Sequence, residues 1–461
     1  MAALLVAAMP GSLLAASPHH DWTMFGWNPG RTGAPTVSMG VDARNLHALQ
    51  RQQVRIDGTV DASAIYLHGV TVEGTVRDVF FVTTTYGKTL AIDAGNGTVL
   101  WEFTPSSYDG VKGTYRITTA TPVADPDRRY IYAAAPDGVI RKLRAADGRV
   151  VWHTPITRLP AREKIASPLG FIKGRVVATT GGYIGDQPPY QGHVVLLDAK
   201  SGKLLHAWNA LCSDRHEMMD PTTCPHSDAA IWGRAGAVID ATTGDLYVAT
   251  GNGPWNGADQ WGDAVVELDP DATKILGNYT PRNTEELNRN DKDLGSTSPV
   301  LIGGPYLLQG GKDGLLRVLD WRRMEGKRPH RGGAASRVRT PGGAMLFTAP
   351  AVRHVGDTTW IYVADNAGTA AYTLHGDQLR QQWHNDHAGT SPVVAGGLVY
   401  VYDPKGGLYI YVAASGRQLA KLDCGDGHWN SPIVADGRIA LPEGNANDHG
   451  TRGVFDIWRV H

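Results

Sequence analysis

The chain has 461 residues, with 44 Lys plus Arg against 45 Asp plus Glu, a formal net charge of −1. No basic excess is available to neutralise phosphates, which excludes nucleic acid as the main partner; 42% hydrophobic residues exclude a disordered chain. At ~150 residues per domain the length suggests about three domains, unless one repeat architecture absorbs it.

Residues 1–17, MAALLVAAMPGSLLAAS, are the only long apolar run and end on small residues. They read as a secretory signal peptide without the Lys or Arg of an n-region. No other stretch reaches ~18 apolar residues, so no membrane span is expected. Residues 18–44 form an N-terminal lead-in, and 45–461 a single repeat domain.

The repeat unit opens with a small residue, often before Pro, and a short apolar strand. Starts fall at Ser63, Thr121, Ser167, Ala235, Ser298, Ala349, Ser391 and Ser431, with spacings of 40 to 68 residues. Each start is followed by an apolar strand (VFFVTT, YIYAAA, VVATT, LYVATG), then a third strand (KTLAID, HVVLLD, AVVELD). A Gly-bearing turn and a fourth strand ending on an aromatic, as at Trp101, Trp152, Trp208 and Trp383, complete the unit. Period-two alternation signals strands, and four strands per ~40–60 residues is the period of a propeller blade. Eight starts predict an all-β, eight-bladed propeller of four-stranded antiparallel blades. The last unit, 431–461, has room for three strands. Asn45–Ile56 is predicted to supply the fourth and close the ring, which removes an exposed edge.

Insertions between Tyr183 and Gly192, Cys212 and Trp232, Pro254 and Gly262, and Pro281 and Thr297 are expected to crowd one face, where function usually sits. Cys212 and Cys224 have 11 residues between them. A disulfide between them is expected in an exported protein; two free thiols are the other reading. Cys424 is then left over.

The strings AIDAGNGTVLW and RAADGRVVW resemble the tryptophan-docking motif of quinoprotein dehydrogenase propellers, roughly A-x-D-x-x-x-G-x-x-x-W. DWTMFGWNPGRTG (21–33) resembles the opening of pyrroloquinoline-quinone-like propellers, and residues 231–269 resemble the central segment of quinoprotein alcohol dehydrogenases, including the polyvinyl-alcohol type. The resemblance implies a flat cofactor floor at Trp232, a calcium ligand at Asn252, a cationic contact to the quinone carbonyls at Lys312 and, more loosely, a basic contact at Arg116. Each has a plainer reading: a blade-packing indole, a left-handed turn Asn, a solvated lysine. The catalytic acid is expected in TPRNTEELNRNDKDLG, 280–295, with Asp291 or Asp293 as general base, or else these acids cap the loop.

The chain departs from the family pattern in four ways. Asn288 stands near the position where the family has its catalytic aspartate. The adjacent-cysteine pair is absent. Gly182 and Tyr183 stand where the pattern has a calcium-binding carboxylate. No CxxCH occurs, so no covalent haem is expected. HEMMD at 216–220 lacks the second His of a zinc motif, and HNDH at 384–387 reads as a turn. Two functions follow. The first is an exported, periplasmic or extracellular dehydrogenase that oxidises a small or polymeric alcohol with pyrroloquinoline quinone and calcium and passes electrons to a separate acceptor. The second is a non-catalytic propeller that binds protein or polymer ligands at the cell envelope. Trp232, Asn252 and Lys312 are expected to converge on one pocket near the ring axis.

Overall fold

Strand character changes from the ring axis outward. In blade 1 the second strand, Thr75–Thr83, is continuously buried over its last five residues, and the third, Thr89–Asp93, is buried throughout. The fourth, Val99–Phe103, alternates between exposed and covered positions. Blades stack face to face, so inner strands are covered on both sides and need unbroken apolar runs, whereas outer strands keep one wet face. In the computed structural model, which describes residues 20–460, this pattern recurs in eight antiparallel sheets. The signal-peptide assignment at 1–17 lies outside the described residues.

Blades 1 to 7 begin at Ile65, Val123, Glu163, Val238, Val300, Ala351 and Val393. All pair in chain order with four strands, except blade 3, where two short segments, Glu163–Ile165 and Gly170–Ile172, both pair with Arg175–Gly182. Blade 8 closes the ring as expected: Leu49–Ile56 pairs with Gly453–Val460, from Leu49 opposite Val460 to Ile56 opposite Gly453. Arg51 fixes this register by pairing with Asp456 at 2.7 Å and Glu443 at 3.0 Å.

The docking tryptophans staple neighbouring blades. Trp101 Nε1 donates to Ala145 O, Trp152 Nε1 to Ala199 O and Trp383 Nε1 to Ala413 O, each in the next blade. Each ring covers the turn glycine there. A Cβ on Gly148 would lie 2.6 Å from the Trp101 ring, and Gly148 has φ +68, so packing and backbone both require glycine.

The lead-in threads one end of the axis. Main-chain bonds tie Trp22 to Tyr66, Thr23 to Ala124, Thr32 to Val352 and Gly33 to Val394. In each case the partner lies three residues after a repeat start. Arg31, buried, donates to Phe25 O and Leu169 O and holds the lead-in as a plug.

Cys212 and Cys224 are disulfide-bonded. Cys424 is a free thiol pushed up to about 12 by burial.

Candidate active site

At the other end of the axis lies a cavity of about 780 Å³. Its deep wall comes from residues one to three positions before the repeat starts: Thr119, Lys164, Ala166, Trp232, Arg234, Phe347, His428 and Trp429. Each precedes an inner strand, so the ring brings the equivalent positions of several blades to one place. The turns after the second strands of blades 4 and 5 add Asn252 and Lys312, and the 281–297 insertion adds Asn288, Asp291 and Asp293. The 183–192 and 212–232 insertions contribute Tyr183, Ile184, Asp186, Tyr190 and Asp228. The 254–262 insertion does not line the cavity. It packs sideways, with Trp261 Nε1 donating to Ser213 Oγ and Gly257 against Pro329.

Trp232, Asn252, Lys312, Asp291 and Asp293 therefore share one cavity. Trp232 is half-buried, with Phe347 at 6.0 Å between ring centroids and Lys312 Nζ 5.5 Å from its own. Lys312 is clamped between Asp291 (2.7 Å) and Asp293 (2.5 Å) and is 12% exposed. Burial would lower its pKa, but Asp293 and Asp291 outweigh that and raise it, so Lys312 stays charged. Asp293 is buried and also accepts the Asn252 backbone N–H at 2.6 Å, whereas the Asp291 side chain is 74% exposed. A Cβ at Gly251 would lie 2.5 Å from Asp293 Oδ1, so glycine there is what admits the carboxylate.

Arg116 is not brought into the cavity. It sits behind Tyr183 and donates to Pro136 O at 3.1 Å. Tyr183 lies between the two.

The deep wall carries two cations that the sequence reading missed. Arg234, buried, donates to Trp429 O at 3.2 Å, and its guanidinium lies 5.9 Å from the Phe25 ring of the plug. Lys164 is pushed down to about 8, and Arg234 to about 10, by burial. Neither has a carboxylate in ion-pair contact among the described residues. His428 faces the same space, with Nδ1 2.8 Å from Asp61 Oδ2. Asp61 is fully buried; burial raises its pKa, but His428 and Arg234 outweigh this and hold it below the usual range. The signal for all of these was available in the offset from the repeat starts.

Around Asn252 the field is anionic. Burial, reinforced by Asp293 and Asp291, raises Asp186; burial and Asp186 raise Asp228. Asn252 Oδ1 is buried without a hydrogen-bond partner, a carbonyl oxygen free for a hard cation. The carboxylates do not converge on it, however. Gly182 makes room for the Tyr190 ring, which a Cβ there would meet at 2.8 Å, and Lys312 already bridges Asp291 and Asp293. Protein atoms alone therefore do not form a calcium cage. The quinone fits better: a half-buried indole, three cations and sufficient volume suit a planar polyanion.

Eight antiparallel blades around an axial cavity define an eight-bladed propeller. A family model described as "Outer membrane protein assembly factor BamB" matches residues 47–256. The quinohemoprotein alcohol dehydrogenase of Comamonas testosteroni is 25% identical over 333 residues, covering 64% of this chain and 45% of that protein. A polyvinylalcohol dehydrogenase from Pseudomonas sp. is 26% identical over 276 residues, 53% of this chain and 42% of that protein. The chain thus spans under half the length of these curated relatives. The crystal structure of the Comamonas enzyme superposes with a TM-score of 0.69 at 17% identity, over 95% of this chain and 80% of that one, which establishes the shared fold. Over 53–64% of its length the chain is similar to these alcohol dehydrogenases.

Proposed function

We propose that this protein is a quinone-dependent alcohol dehydrogenase acting outside the cytoplasm. The observation that carries the reading is the half-buried indole of Trp232 lining a cavity whose deep wall holds Lys164 and Arg234 without carboxylate partners among the described residues. An indole stacks on a planar ring without a directional bond, and the two cations, with Lys312, match the carboxylates of pyrroloquinoline quinone. When bound, the quinone supplies a two-electron acceptor. Lys312 is positioned to stabilise negative charge developing on a carbonyl oxygen. Asp293, fixed by Lys312 and the Asn252 N–H, is placed to take the hydroxyl proton; the carbinol C–H hydrogen with its electron pair would pass to the bound acceptor, leaving a carbonyl compound. Asp291, at the mouth, orients Lys312. Exposed Ile184 and Met345 at the rim admit the carbon chain of a small or polymeric alcohol. A separate acceptor removes the electrons. The Cys212–Cys224 disulfide supports a periplasmic or extracellular location.

The test is titration of the purified protein with the quinone, with and without calcium, read as quenching of Trp fluorescence and as dye reduction with alcohols. Saturable quenching that is lost in Trp232→Ala, at an unchanged melting temperature, supports the reading. A second reading, a non-catalytic envelope propeller binding protein or polymer ligands, is favoured by the lack of converging carboxylates at Asn252; absence of quenching selects it.

A further inference from the structure

We propose that His20, His68, Asp78 and Asp436 form a transition-metal site, of the zinc type, that clasps the ring where its two ends meet. The site is on the lead-in, blade 1 and blade 8, away from the cavity residues, and does not depend on the dehydrogenase reading.

The geometry begins in the backbone. The strand Ile65–Val72 pairs with Thr75–Thr83, and the register shifts between Leu67 and Val70, leaving His68 and Gly69 in a bulge. A bulge re-aims a side chain that the regular pleat would point elsewhere. Here it turns His68 toward Asp78 on the adjacent strand. Asp436 lies in the tight Asp-Gly turn between the first two strands of blade 8, at φ +50. His20 comes from the lead-in, which Trp22 anchors to Tyr66.

Three side chains, His68, Asp78 and Asp436, then meet, and His20 from the lead-in approaches Asp436 alone and must turn inward to become the fourth ligand. His68 Nδ1 lies 3.0 Å from Asp78 Oδ1 and 3.0 Å from Asp436 Oδ2. His20 Nδ1 lies 3.1 Å from Asp436 Oδ1. Among the described residues this is where three His, Cys, Asp or Glu ligand atoms lie within 4.8 Å of one another. With metal–ligand bonds of about 2.0–2.1 Å, the edge of a tetrahedral site is roughly 3.3 Å. The observed separations are a few tenths of an ångström shorter, a gap that small side-chain rotations close.

Hydrogen bonding alone serves His68 poorly. One imidazole nitrogen holds at most one proton, yet two carboxylate oxygens face Nδ1 at the same distance. A metal ion on the nitrogen's lone pair would satisfy both. Charge points the same way: Asp78 and Asp436 share one guanidinium, that of Arg438, at 3.1 and 3.3 Å, which leaves one negative charge for a dication. Arg438 holds Asp78 by Oδ2, while Oδ1 accepts the Gly69 N–H at 2.9 Å and faces His68, and Tyr66 OH donates to Asp436 at 2.9 Å. Such outer partners orient ligating carboxylates. Two imidazoles with two carboxylates select a borderline dication such as zinc over calcium.

The test uses the whole chain, stripped by a chelator and then given the metal alone. Cobalt(II) should produce the visible bands of a tetrahedral ion at one equivalent, and zinc(II) should raise the melting temperature. His68 and His20 are largely exposed, at 49% and 41%, so His68→Gln and His20→Gln should match the stripped wild type in melting temperature. His68→Gln should lose both the bands and the zinc-dependent rise, and His20→Gln should weaken both. A wild type that melts identically with and without zinc overturns the site. So do cobalt bands that persist undiminished in His68→Gln, because they come from other ligands.

Discussion

Asp263 is a carboxyl group sealed under the cavity wall. Its Oδ1 accepts the Leu294 N–H at 2.9 Å, and its Oδ2 has no partner. Burial pushes its pKa up to about 8. The unfolded chain gives up this proton near pH 4, so between there and pH 8 the folded state binds more protons, and stability falls as pH rises. Asp263→Asn is therefore expected to raise the melting temperature at pH 8, with the gain shrinking toward pH 4; a pH series of thermal melts reads it. Asn also tolerates the backbone there, at φ +47. Lys164 acts in the opposite sense for ligand binding. Its ammonium is lost as pH rises through about 8, so affinity for the anionic quinone should fall by up to ~10-fold per pH unit above that. Fluorescence titrations from pH 7 to 9.5 should show this, and Lys164→Met should bind more weakly with a flatter profile. Trp232, Asn252 and Lys312 were legible because they stand in strings with a recognisable pattern. Lys164, Arg234 and His428 stand in no such string, and only their common offset from the repeat starts marks them. Arg116, carried over on a loose resemblance, stands five positions before the start at Thr121 and is not among the residues lining the cavity.

Blades 1, 2 and 6 each dock an indole on a turn glycine of the next blade. Gly148→Ala adds a Cβ into the Trp101 ring and places a side chain at positive φ, which alone costs about 1–2 kcal/mol; denaturant unfolding should show a loss of at least that size. Trp101→Ala leaves a cavity between blades and removes the bond to Ala145 O, a loss of about 3–5 kcal/mol. Both should leave quinone affinity within a few-fold, because neither residue lines the cavity. Elements of this kind were readable because strand, turn and docking residue are close in sequence. Glu163–Ile165 was not. It contains charged residues and is a strand only because the far end of Arg175–Gly182 pairs with it. Glu163 is fully buried there and accepts from His193 at 2.9 Å, a pairing that a local pattern cannot reveal.

The ring as a whole depends on the strand borrowed from the N-terminal side. Without Leu49–Ile56, the Gly453–Val460 strand would present a free edge whose buried Phe455, Ile457 and Trp458 lose their cover. Replacing Val54 with Pro, in the middle of that strand, should remove a ladder bond and open the edge. The expected outcome is a lower melting temperature and concentration-dependent association in sedimentation. The count of eight followed from the repeat starts, and the closure from the short last unit. The plug was not foreseen, since apart from Arg31 its ties are main-chain bonds that leave no mark on residue identity.

A ribosome makes Leu49–Ile56 first and its partner Gly453–Val460 last. Throughout synthesis the early strand waits with its backbone groups unpaired, while seven blades form behind it one at a time. The lead-in waits too, because its anchoring carbonyls pair with blades 1, 2, 6 and 7. Folding of this chain is consequently a race that ends only when the last turn of sequence emerges. A nascent chain arrested at Gly450 should remain sensitive to protease at residues 20–56, long after blades 1 to 5 have become resistant.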